Sequence, residues 1–147
     1  MFFLKKWFKK DNYLITTLKK DHLNLLNIFN ELKEISQEND FEKIQSQIKL
    51  FVNEYYKHIL LEDTQLYQAL KEKYQNEPHI AQSIINLEKE MNKITRAIKF
   101  FDRKYSNGLN KNNKDIYLEE LNHIGNILKE RIDLEEERLY PLFKWKQ

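Results

Sequence analysis

At 147 residues, with 25 Lys and Arg against 23 Asp and Glu, the chain offers about one domain of sequence with a net charge of +2. That balance gives no bulk attraction for nucleic acid. The absence of cysteine excludes thiolate metal sites, cysteine nucleophiles and a disulfide framework, and fits a reducing, cytoplasmic setting. With only 2 Gly and 2 Pro there is little room for β-turns or a Gly-rich phosphate loop, so an all-α fold is expected.

Residues 1–12 form a segment of their own, opening with Met1-Phe2-Phe3-Leu4-Lys5-Lys6-Trp7-Phe8-Lys9-Lys10. It is too short to span a bilayer. Lysines interrupt each hydrophobic pair, so it also lacks the apolar core of a secretory signal. Its chemistry suits an end-flap that packs aromatics on the domain, in preference to an anchor on an anionic membrane surface. No stable membrane insertion is expected.

From Tyr13 to Ser36 apolar residues recur at helical spacing, and Gln37-Glu38-Asn39-Asp40 interrupts them. Asp40 is placed to cap a second helix, which runs from Phe41 to Tyr74 and stops at Asn76-Glu77-Pro78. A third spans His79 to Tyr105 and ends at Asn107-Gly108, read as a left-handed terminus. Asp115 is placed to cap a fourth helix, from Ile116 to about Tyr140, before Pro141. Loops this short imply antiparallel neighbours, hence an up-down four-helix bundle over residues 13–147.

Each helix has an inward stripe, followed in alternating steps of four and three. The third stripe is apolar throughout: Ile80, Ile84, Leu87, Met91, Ile94, Ile98, Phe101 and Tyr105. The other three are interrupted. The first reads Leu18, His22, Leu25, Phe29, Leu32, and the second Ile44, Ile48, Phe51, Tyr55, His58, Glu62. The fourth reads Tyr117, Leu121, Ile124, Leu128, Arg131, Glu135, Leu139. In an antiparallel bundle His22, His58, Glu62, Met91, Arg131 and Glu135 fall at one height. His79 and His123 lie off the stripe and are expected at the surface.

Burying unpaired charge costs several kcal/mol, roughly, so five ionisable groups in one layer must neutralise one another or hold a cation. Two arrangements meet that demand. In one, Arg131 forks between Glu62 and Glu135, with the histidines bonded around it. In the other, two imidazoles and two carboxylates hold iron, manganese or zinc. Paired carboxylates beside histidine also suit proton transfer, but no substrate pocket is evident in the sequence and no enzymatic activity is expected.

Asp21-His22-Leu23, His58-Ile59-Leu60-Leu61-Glu62-Asp63 with Leu66-Tyr67, and Glu135-Glu136-Glu137-Arg138-Leu139-Tyr140-Pro141 resemble the motifs of the hemerythrin (HHE cation-binding) family. The motif Glu62-x-x-x-Leu66-Tyr67 recurs as Glu135-x-x-x-Leu139-Tyr140, as two related helix pairs would show. The resemblance implies a hemerythrin-like bundle with His22, His58, Glu62 and Glu135 as metal ligands. Where the family has two further histidines this chain has Met91 and Arg131. The implied cofactor is therefore non-haem iron as one ion or none, in place of a full di-iron pair. Binding or sensing of the metal, or of a small diatomic ligand such as oxygen or nitric oxide, is the expected function.

A second resemblance points elsewhere. Ile124-Gly125 and Leu128-Lys129-Glu130-Arg131-Ile132-Asp133-Leu134-Glu135 are similar to the last helix of the regulator of sigma D family, bacterial anti-sigma proteins. It implies a metal-free bundle whose partner is a sigma factor, with Arg131 in its ordinary place.

Overall fold

The computed structural model describes the backbone of residues 2–143 and the side chains of residues 13–143. Four helices run through the described residues. Helix α1 is Phe2–Ile35. Helix α2 is α-helical over Phe41–Leu61, widens to a π-helix at Glu62–Tyr67, and returns to α geometry over Gln68–Lys73. Helix α3 is Pro78–Tyr105. Helix α4 is α-helical over Lys114–Leu134, π-helical over Glu135–Leu139, and ends with Tyr140–Phe143. The backbone of α1 thus begins well before Tyr13; the end-flap expected of residues 1–12 concerns side chains outside the described residues.

The helices pack as an up-down ring, α1 against α2 and α4, and α3 against α2 and α4. No helix among the described residues is long and apolar enough to cross a membrane. Asp40 caps α2 as expected, its side chain accepting from the Lys43 amide at 3.2 Å. Pro78 takes the first position of α3, where its missing N–H costs nothing.

Three boundary expectations are corrected. Gly108 is not left-handed, since no described residue has a positive φ. Asparagine amides close the turn instead: Asn113 Nδ2 donates to the Gly108 carbonyl at 2.8 Å, and the Asn110 amide donates to Asn113 Oδ1 at 2.9 Å. Asp115 lies inside the first turn of α4 and Asn113 precedes it. There an acidic residue still complements the helix dipole. Finally, Pro141 does not end α4, which continues to Phe143. Proline crowds the carbonyl four residues back in an α-helix, and the widened π turn just before it relieves that crowding.

The core lies in two parts, on either side of the polar layer. One cluster holds Leu25, Phe29, Leu32, Phe51, Tyr55, Ile98, Phe101, Tyr117 and their neighbours. The other holds Leu14, Leu18, Leu66, Tyr67, Leu70, Ile84, Leu139, Tyr140 and Phe143. In the first, Gly125 lets α4 approach α1: a Cβ there would stand 2.5 Å from the Phe29 ring. A mid-helix glycine usually costs on the order of 1 kcal/mol, and here ring contact offsets it. The α3 stripe is apolar as expected but not wholly buried. Ile80 and Leu87 are half-buried and, with Leu134 and Leu142, line a surface groove of about 510 Å³.

Candidate metal centre

His22 comes from α1, His58 and Glu62 from successive turns of α2, and Glu135 from the first residue of the π segment in α4. All four are buried, Glu62 completely. One ligand atom from each lies within 4.8 Å of the others. His58 Nε2 is 3.0 Å from Glu62 Oε1, and His22 Nε2 is 3.3 Å from Glu135 Oε1. Met91 and Arg131 stand in the same layer, both buried. His79 and His123 are exposed.

Sequence reasoning missed the carboxylates behind the histidines. His22 Nδ1 pairs with Glu136 Oε2 at 2.8 Å, and His58 Nδ1 with Asp21 Oδ2 at 3.2 Å. A carboxylate can only accept, so each ring has a proton on Nδ1 and turns Nε2 inward. This is the outer support that metal-ligating histidines ordinarily have. The signal was adjacency: Asp21 precedes His22 and Glu136 follows Glu135, positions off the inward stripe and exposed enough to be read as solvated.

The π segments bring in two tyrosines. Each places a glutamate five residues before a tyrosine, and the Tyr140 amide bonds back to the Glu135 carbonyl. The wider turn keeps both residues of each pair buried, which helical spacing of 3.6 alone would not do. The Tyr140 hydroxyl reaches across the bundle, donating to Glu62 Oε2 at 3.1 Å and lying 3.0 Å from His22 Nε2. The Tyr67 hydroxyl is buried with no hydrogen-bond partner.

Charge in the layer is set by its members. Burial drives Glu135 well above the ordinary carboxylate range, helped by the neighbouring charge of Glu62. Burial also opposes ionisation of Glu62, but hydrogen bonds from Glu135 and His58 outweigh it and hold Glu62 low. The two carboxyls are thereby pushed in opposite directions, Glu135 toward the neutral acid and Glu62 toward the carboxylate. Burial and the charge of His58 lower His22. His58 is raised, because Glu62 and Asp21 overcome the opposing effect of burial. The resulting core is an imidazolium beside a carboxylate, with a neutral acid and a neutral imidazole alongside. Burial and both carboxylates push the phenols of Tyr67 and Tyr140 upward, so they stay protonated.

Arg131 does not fork between Glu62 and Glu135, contrary to the salt-bridge arrangement expected of it. Its Nη2 instead lies 3.4 Å from Glu90 Oε2 of α3, a half-exposed carboxylate. Arg131 Nε and Nη1 are buried without acceptors. Arg131 also lines a small enclosed cavity of about 10 Å³ with His22, His58, Met91 and Glu135, about the room one water needs.

A cation fits the four donors. Two imidazole nitrogens and two carboxylates are a sufficient hard-to-borderline set. Glu135 Oε2 has no hydrogen-bond partner, and His58 Nε2 and Glu62 Oε1 face only each other at 3.0 Å; a cation among them would be met by all three. A model of the hemerythrin HHE cation binding domain matches residues 13–143. No curated protein and no solved structure matches the chain.

Proposed function

Because the chain belongs to the hemerythrin HHE cation binding domain family, we propose that it holds a single non-haem iron between His22, His58, Glu62 and Glu135. Its role on this reading is to bind or sense the metal, or a small ligand such as oxygen or nitric oxide, and not to catalyse a reaction. The observation that carries the reading is the pair of outer carboxylates. Asp21 and Glu136 fix both rings with Nε2 toward the two glutamates, an arrangement a hydrophobic core gains nothing from.

Bound there, iron would supply an open coordination position for the small ligand. The chain does the rest. His22 presents neutral nitrogen and Glu62 a carboxylate, and His58 and Glu135 each give up a proton as the cation arrives. Met91 and Arg131 occupy the side of the layer where further ligands would be needed for a second metal. Arg131 keeps a positive charge there, which disfavours a second cation.

Metal content, measured by mass spectrometry on protein purified without chelators, tests the assignment. Near-stoichiometric iron is expected in the unsubstituted chain and its loss in His58→Ala, with helical content retained. Unchanged metal in His58→Ala would sink the site. An absence of metal from the unsubstituted protein would instead favour the regulatory reading, in which a sigma factor is sought by affinity capture.

A further inference from the structure

An oxygen from outside the four donors touches two of them. The Tyr140 hydroxyl is 3.0 Å from His22 Nε2 and 3.1 Å from Glu62 Oε2. Around an ion with bonds of about 2.1 Å, ligands at right angles lie about 3 Å apart. Tyr140 oxygen therefore holds the separation of a neighbouring ligand from two donors on different helices at once. We propose that Tyr140 is a fifth ligand of the centre, binding the metal through its phenolic oxygen; this rests on the metal reading above.

Several observations converge on it. Tyr140 is fully buried, so water does not compete for its oxygen. Its ring stacks on the His22 imidazole, with centroids 5.5 Å apart and planes 12° from parallel. That contact fixes the direction in which the hydroxyl points. The ring is carried by the turn just past the π segment, whose extra residue re-aims α4 at this position. Glu62 can meet the metal through Oε1 and keep Oε2 as acceptor of the hydroxyl, or give up that bond as the phenolic oxygen joins the coordination; the 3.0 Å contact to His22 Nε2, itself a ligand, favours the second. On ligation the metal replaces the phenolic proton, which leaves to bulk water, as for any protic ligand.

Tyr67 is the internal control. It has the same motif position in α2, and its hydroxyl touches none of the donors within hydrogen-bond distance.

The test is the visible spectrum of the ferric protein, with resonance Raman spectroscopy and iron content measured alongside. A phenolate-to-iron charge-transfer band is expected in the unsubstituted protein and in Tyr67→Phe. It should be lost in Tyr140→Phe while iron is retained. Stoichiometric iron without that band overturns the ligation by Tyr140 and leaves the metal reading intact. A band that survives Tyr140→Phe also overturns it. Absence of iron from the unsubstituted protein overturns both. Should Tyr140→Phe fail to fold, phenolate vibrations in the Raman spectrum of the unsubstituted protein, present or absent, decide the matter.

Discussion

The segments Glu62–Tyr67 and Glu135–Leu139 with Tyr140 share a motif, a π-helical backbone and a buried glutamate, yet end in opposite states. Glu62 is held ionised and Glu135 protonated. Tyr140 makes two polar contacts with the cluster and Tyr67 none. The backbone cannot be the cause, since it is the same. Burial and the contact between the two carboxyls drive the difference, and the residues one turn upstream, His58 in α2 and Arg131 in α4, add to it. His58 lies 3.0 Å from Glu62 and carries the charge that stabilises the carboxylate. Arg131 pairs with Glu90 at 3.4 Å, and its charge, though it pulls the Glu135 carboxyl down, does not overcome burial and the charge of Glu62. A local motif thus fixes where a carboxyl group sits, while its charge is set by burial, by the other carboxyl and by the group four residues earlier.

The largest test of that asymmetry removes each charge from metal-free protein in turn. Glu62→Gln leaves the buried His58 imidazolium with Asp21 as its one carboxylate partner and should cost about 2–4 kcal/mol. Glu135→Gln replaces a neutral acid by a neutral amide of the same shape and should stay within about 1 kcal/mol. Urea unfolding curves compare the two directly. Equal losses would show that the proton is shared evenly.

Next in size is the tyrosine that bonds. In metal-free protein Tyr140→Phe removes a donor from Glu62 Oε2 and a neighbour from His22 Nε2, both buried. A loss of about 1–3 kcal/mol is expected, read from the thermal midpoint. No change would mean that Glu62 finds another donor, and the charge assignment in the layer would have to be redrawn.

These asymmetries mark the limit of what was legible in the sequence. His22, His58, Glu62, Arg131 and Glu135 could be found because each breaks an otherwise apolar stripe, and a helical period of 3.6 is a strong signal over long helices. The helix limits at Asp40 and Pro78 were legible for the same kind of reason, since both residues act locally. Tyr67 and Tyr140 were not, because a regular α-helix would turn them away from their glutamates. Nothing in the composition announces a π turn. Asp21 and Glu136 were hidden by partial exposure, although each pairs with a buried ring on another helix. The partner of Arg131, Glu90 of α3, was not legible because that half-exposed residue lies off the inward stripe.

The smallest effect tests the silent half of the comparison. Tyr67 is as buried as Tyr140 and its ring belongs to the same apolar cluster, so Tyr67→Phe keeps the packing and deletes only the hydroxyl. A buried hydroxyl without a hydrogen-bond partner costs on the order of 1–3 kcal/mol. Its removal should therefore leave stability unchanged or raise it by up to about 1 kcal/mol, where the same deletion at Tyr140 lowers it. A loss at both positions, measured by urea unfolding, would mean that the Tyr67 hydroxyl is satisfied in solution by an ordered water. The two motifs would then be alike in their tyrosines and unlike only in their carboxyl groups.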